Sequence, residues 1–359
     1  MVKGTTGKGI TDPSSLGARI ASLLRGSWRA SPPPLDFPLD DLEILFPLLL
    51  KSGAAPLAWW RIAHSGYHSF PSVAQLHQAY RLSTIQALVQ ERQLAEVLRR
   101  LAQNNVTPLM GKGLVAARLY PEPGLRPSGD FDLYVPDEQY EIARATLRIP
   151  GTVLAPVDLH RGFAELDDRP PELLYRRAQT ITIDGQEVRV FSPEDHLRLL
   201  CLHMLRHGAV RPLWLCDIAA TLESLSKTFD WDYFSSGSTR RTQWAWCALV
   251  LAQKVFDLAR DYLPLSDQMK TLPRWIIPAV LREWGTPYHP RIPTEYAIRS
   301  PRMILKEIRH KWPNPIEATV TVNARFDNFP RFPIQLADCA VRAVHLIRRV
   351  LRATATHTL

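Results

Sequence analysis

The sequence predicts an α+β protein in which a small α/β unit, residues 106–191, is flanked by helical regions on both sides. Three observations carry that prediction. Apolar residues between Leu39 and Leu101 recur mostly at helical spacing. Residues 106–191 instead hold short apolar runs and a two-residue turn. Ser192-Pro193-Glu194-Asp195 then marks a return to helix, with an N-cap serine, proline at the first helical position and an acid three residues after the cap.

In chain order, residues 1–37 are rich in Gly, Ser, Thr and Pro, include Ser31-Pro32-Pro33-Pro34, and are expected to form a flexible tail or linker holding at most one short helix near Leu16–Leu24. Residues 38–105 form the N-terminal helical region, where Leu94, Val97, Leu98 and Leu101 share one face that should pack on the unit that follows. Within 106–191, Val106–Met110 reads as a strand, placed at an edge by Pro108. Leu114–Tyr120 reads as a short helix, Phe131–Val135 as a strand, Asp137–Leu147 as a helix and Val153–His160 as a strand. Thr180–Ile183 and Val188–Phe191 alternate about Asp184-Gly185, a hairpin signature. In the C-terminal helical region, 192–359, helical patterns cover Leu197–His207, Trp214–Leu225, Gln243–Leu258 and Leu336–Leu351, broken by a proline-rich stretch between Pro264 and Pro301. No internal repeat is visible.

A chain of 359 residues that is 46% hydrophobic has ample material for a core and for two or three cooperating subdomains. Its longest apolar stretches, Leu42–Leu50 and Ala245–Ala252, fall well short of the ~20 residues needed to cross a bilayer. The N-terminal stretch MVKGTTGKGITDPSSLG lacks the apolar run of a secretory signal, so a cytoplasmic protein is expected. Cys201, Cys216, Cys247 and Cys339 are widely spaced and form no CxxC pair, which favours buried thiols over a zinc knuckle or disulfide framework. The formal charge of +9 favours anionic partners, yet the arginines are spread from Arg19 to Arg352 without a dense block, so no dedicated nucleic-acid groove is evident.

The chemically informative segment is Gly111-Lys112-Gly113 followed by Arg126-Pro127-Ser128-Gly129-Asp130-Phe131-Asp132-Leu133-Tyr134-Val135. On a strand, residues i and i+2 project to the same side, so Asp130 and Asp132 would converge while Phe131 and Leu133 face the core. Paired carboxylates suit Mg2+, which binds oxygen and typically shares its shell between one or two protein carboxylates and substrate phosphates. Val157-Asp158-Leu159-His160 places a third acid in the next predicted strand, where it would complete a two-metal site for phosphoryl-group chemistry. Gly113 would let backbone NH groups approach a phosphate, with Lys112 and Arg126 adding positive charge. His160 reads either as a partner of these acids or as a structural histidine.

GKG at 111–113, LYPEPGLRPSGDFDLYV at 119–135, VDLH at 157–160, FSPEDHLRLLCLHMLRHG at 191–208 and LWLCDIAATL at 213–222 together resemble the bacterial uncharacterised nucleotidyltransferase family of the DNA polymerase β-like superfamily. The resemblance runs from about residue 40 to 260. It implies a small mixed-sheet nucleotidyltransferase core, Asp130, Asp132 and Asp158 as catalytic metal ligands, and Gly111, Lys112, Gly113, Arg126 and Ser128 on the phosphate side. It further implies Mg2+ as cofactor, a nucleoside triphosphate as co-substrate, and a small molecule, saccharide or peptide as acceptor in a biosynthetic setting. The superfamily's glycine-serine pair is not matched, since Gly113 is followed by Leu114.

His203 and His207 lie one helical turn apart, but Met204 stands where a zinc peptidase needs Glu, so a packing or acceptor-site role is the better reading, with Asp217 a candidate hydrogen-bond partner. The last predicted helix aligns Leu336, Ala340, Val344, Ile347 and Leu351 on one side and Arg342, His345, Arg348, Arg349 and Arg352 on the other; its apolar side is expected to cover the core rather than meet lipid. Two rival functions remain: a metal-dependent glycosyltransferase using D-x-D, which would want alternating β/α structure before it, and a catalytically inactive partner-binding protein of the same fold.

Overall fold

The structure, a computed structural model, describes residues 12–38, 41–66, 71–148, 156–264, 271–287 and 312–356. Helices α1 (Pro13–Leu24), α2 (Leu42–Ser52), α3 (Ala55–Ala63) and α4 (Pro71–Gln103) precede strand β1 (Leu109–Gly111), short helix α5 (Gly113–Ala117), β2 (Phe131–Val135), α6 (Asp137–Leu147), β3 (Val157–Arg161), α7 (Pro171–Arg177), β4 (Gln179–Ile183) and β5 (Gln186–Val190). Helices α8 (Pro193–Arg206), α9 (Pro212–Ser224), α10 (Trp231–Ser235), α11 (Thr239–Phe256), α12 (Ile276–Gly285), α13 (Pro315–Thr321) and α14 (Arg331–Thr356) follow. The architecture is α+β, with one five-stranded sheet ordered β3-β2-β1-β5-β4. It is mixed: β2 runs parallel to β3 and antiparallel to β1, while β1 runs parallel to β5 and β4–β5 is an antiparallel hairpin.

Alternation along β2 sorts the sheet's two faces. Phe131, Leu133 and Val135 are fully buried on one, against Leu94, Val97, Leu98 and Leu101 of α4, the face expected to pack there. Tyr134 of β2 and Leu109 of β1 pack on the other with Phe191 and with Leu199 of α8. The hairpin turns at Asp184 and Gly185, both at positive φ (46° and 75°), as a two-residue turn matching strand twist requires. Ser192 caps α8 as expected, its Oγ accepting from the Asp195 backbone NH at 3.2 Å.

Three expectations need correction. β1 is not an edge strand: it lies between β2 and β5, and Pro108 precedes the paired residues, so its missing NH interrupts no ladder. Residues 12–37 are not a loose tail, although 1–11 lie outside the described residues. The Asp12 carboxylate caps α1 by accepting from the Ser15 NH at 3.1 Å, and Leu16, Ile20, Leu23 and Leu24 are buried, each adding ~1.5–3 kcal/mol. Gly17 of α1 and Gly285 of α12 let those two helices touch backbone to backbone; a Cβ at either would collide with a main-chain carbonyl. Downstream, Arg61 donates to the carbonyls of Leu23 (3.2 Å) and Pro33 (2.5 Å), so a composition poor in regular structure is still tied to the body.

Nor does the apolar side of α14 cover the core. Leu336 and Val344 are each 47% exposed, whereas Asp338 and Arg331 point inward. Arg342 reaches Asp338 at 2.7 Å and Glu317 of α13 at 3.1 Å, so polar pairing sets the roll of the helix. Ile347 and Leu351 lie beyond the side chains described, as do residues 153–155 of the third predicted strand and 265–270 and 288–301 of the proline-rich stretch. Among the described residues, no helix is long and apolar enough to cross a membrane.

Candidate active site

The sheet register assembles the acidic residues. Asp132 sits opposite Gly111 of β1 on one side and Asp158 of β3 on the other, and Tyr134 sits opposite His160 two residues on. Because residues two apart share a face, Asp132, Asp158 and His160 emerge together. Each offers a ligand atom within 4.8 Å of the others. His160 Nε2 lies 3.1 Å from both Asp132 Oδ1 and Asp158 Oδ2, its ring stacked on Tyr134 at 4.2 Å between centroids. Asp130 stands just before β2 rather than within it, and lines the same cleft without joining that tight group.

Burial, followed by repulsion from Asp132 and Asp158, raises the Asp130 carboxyl above its ordinary value. Burial pushes Asp132 the same way, but hydrogen bonds from His160 and Lys112 outweigh it and hold that carboxyl below the usual range. Neighbouring aspartates are thus driven apart in acidity, as happens where charge is concentrated for use.

Lys112 occupies the turn between β1 and α5 at φ 53°, ψ −124°. Its side chain is 7% exposed, and Nζ donates to Asp132 Oδ1 at 2.8 Å and lies 3.2 Å from His160 Nε2. Gly113, next in sequence, is required by close approach: a Cβ there would meet Ser128 Oγ at 2.6 Å and Arg126 Nη1 at 2.8 Å. Gln86 and Gln90 of α4 both donate to the Ser128 carbonyl, at 3.2 and 3.0 Å, and Ser128 Oγ donates to the Asp130 carbonyl at 3.0 Å, so the loop ahead of β2 is pinned.

Lys112, Gly113, Arg126, Ser128, Asp130, Asp132 and Asp158 all line one cleft of about 440 Å³. Gly111 does not; it is packed behind, where a Cβ would press on Leu199 and Phe191. Arg126 is already matched: its guanidinium donates to buried Asp217 at 2.8 and 3.2 Å, and Tyr120 Oη donates to the same carboxylate at 2.9 Å. Asp217 therefore links α9 to the loop before β2 instead of serving His203 or His207. Those two imidazoles lie 4.5 Å apart beside Trp214, and burial lowers both below the ordinary histidine value. His203, Arg211 and Trp214 form the cleft's helical wall, facing the acids.

The donor set fits a hard divalent cation: carboxylate oxygens from adjacent strands, with an imidazole nitrogen in reach. The sequence profile of a family described as uncharacterised nucleotidyltransferase matches residues 40–158 and 154–257, together more than half of the chain. No curated protein matches the sequence. Among solved structures, an antigenic nucleotidyltransferase-like protein from Paracoccidioides brasiliensis is similar at 19% identity over 47% of this chain and 92% of that chain, with a TM-score of 0.34, too distant to carry an argument.

Proposed function

The chain belongs to the uncharacterised nucleotidyltransferase family, and on that premise we propose that it moves a nucleoside monophosphate from a nucleoside triphosphate to an acceptor, with Mg2+ as cofactor and release of pyrophosphate. One observation carries the reading: adjacent parallel strands present Asp132 and Asp158 to a single point, with Asp130 beside them, in a cleft large enough for a substrate.

Asp130, Asp132 and Asp158 would hold the metal, which when bound supplies positive charge to the phosphates and acidifies the attacking group. Lys112, Gly113, Ser128 and Arg126 line the phosphate side, with Gly111 shaping it from behind. The acceptor's nucleophilic atom bonds to the α-phosphorus as the bond from that phosphorus to the bridging oxygen breaks, and pyrophosphate leaves with the electron pair. The acceptor's proton passes to Asp158, whose side chain is 51% exposed. The acceptor class is a small molecule, saccharide or peptide entering past the helical wall of His203, Arg211 and Trp214.

Turnover of α-labelled triphosphates with Mg2+ tests the reading in the wild type and in Asp130→Ala and Asp132→Ala. Turnover lost in both variants is the expected result. Equal turnover in all three excludes the metal role assigned to these acids.

A further inference from the structure

Lys112 is placed with more precision than a general phosphate contact requires. Its neighbours on both sides are glycines hemmed in by packing, by Leu199 and Phe191 behind Gly111 and by Ser128 and Arg126 before Gly113. The ring of His196, itself buried, hydrogen-bonds the Lys112 backbone. Its φ of 53° is one that a non-glycine residue holds only when its surroundings impose it, and such strain gathers at functional positions. All of this directs one ammonium group at Asp132 Oδ1, 2.8 Å away, and to within 3.2 Å of His160 Nε2, inside the group of ligand atoms where a cation is expected.

The placement has an electrostatic meaning. The Lys112 ammonium already occupies one oxygen of Asp132 with a positive charge fixed to the chain. Arg126 cannot play that part, because Asp217 already neutralises it. An ammonium is a compact point charge with three donors; it can oppose charge on phosphate oxygens, but with no vacant orbital it cannot take a ligand oxygen as a metal does.

We propose that Lys112 is a covalently attached second cation, and that this site works with one divalent ion where a pair of carboxylates and a third acid would otherwise accept two. The proposal rests on the metal-dependent reading above and refines it. Lys112 takes Oδ1 of Asp132, so the single ion is held by Asp130, Asp158 and Oδ2 of Asp132, and Lys112 opposes charge on the phosphates from the side of β1.

The test counts bound Mn2+ by electron paramagnetic resonance of the free ion, using full-length protein and a triphosphate analogue whose α–β bridge is methylene. Wild type is expected to bind one ion per chain and Lys112→Met two. Two ions in the wild type overturn the proposal whatever the variant does, so it stays refutable even if Lys112→Met fails to fold. One ion in both proteins also overturns it, because the lysine then displaces nothing. No ion in either overturns the metal-dependent reading itself, an outcome distinct from both.

Discussion

Replacing Asp217 by Asn tests how the cleft is held together. Asp217 is fully buried, the Arg126 side chain is 7% exposed, and three guanidinium contacts at 2.8–3.2 Å join them. The amide keeps the shape and removes the charge, leaving a guanidinium with no counter-ion in a low-dielectric setting, which costs ~3–5 kcal/mol. The double variant Arg126→Met/Asp217→Leu removes both charges and should lose only ~1–3 kcal/mol, chiefly because the buried Tyr120 hydroxyl is left without its acceptor. Urea denaturation followed by the fluorescence of the chain's 10 tryptophans reads both values. A loss below ~1 kcal/mol for Asp217→Asn, or a double variant as damaged as the single, would refute the claim that this pair is a desolvated link between α9 and the loop carrying Asp130.

Other outcomes follow from the same geometry. Gly113→Ala should cost ~1–3 kcal/mol by overpacking and reduce triphosphate turnover about tenfold or more, since Arg126, fixed by Asp217, cannot step aside; wild-type turnover would contradict it. Asp130 holds its proton more tightly folded than unfolded, so its ionised form destabilises the fold above its raised pKa. In metal-free buffer Asp130→Asn should therefore raise the melting temperature at neutral pH and leave it unchanged at a pH well below the ordinary aspartate range, and a lowered neutral value counts against this. Added Mg2+ should stabilise the wild type more than that variant, measured by the same melting curves. Of four cysteines, Cys201, Cys216 and Cys247 are buried with thiols pushed up by burial, so only half-buried Cys339 should react promptly with a thiol reagent before denaturant is added.

Much of the fold was legible because local chemistry dictated it. The cap at Ser192, the turn at Asp184-Gly185 and the apolar face of α4 depend on neighbours a few residues away, and each stands where sequence places it. The packing of α1 and the roll of α14 depend on partners far along the chain, Gly285 and Glu317 among them, which periodicity cannot identify. The same divide runs through the cleft. Alternation already carried Asp132 and Asp158, and applied once more from Asp158 it puts His160 on the shared face; the signal was present, but an imidazole can equally be structural. Asp217 could not be assigned, because its pairing with Arg126 spans separate elements, and without that pairing Arg126 reads as a free cation. Trp214, Arg211 and His203 reach the cleft only through the packing of α8 on the sheet and of α9 on α8 and α5.

The central claim is that carboxylates from β2, β3 and the turn before β2 share a divalent cation. Anomalous diffraction from crystals soaked in Mn2+ and a triphosphate analogue measures this directly. The account predicts a peak bounded by Asp130, Asp132 and Asp158 at ordinary oxygen-ligand distances. A map with no peak there, while manganese decorates surface acids elsewhere, would contradict it.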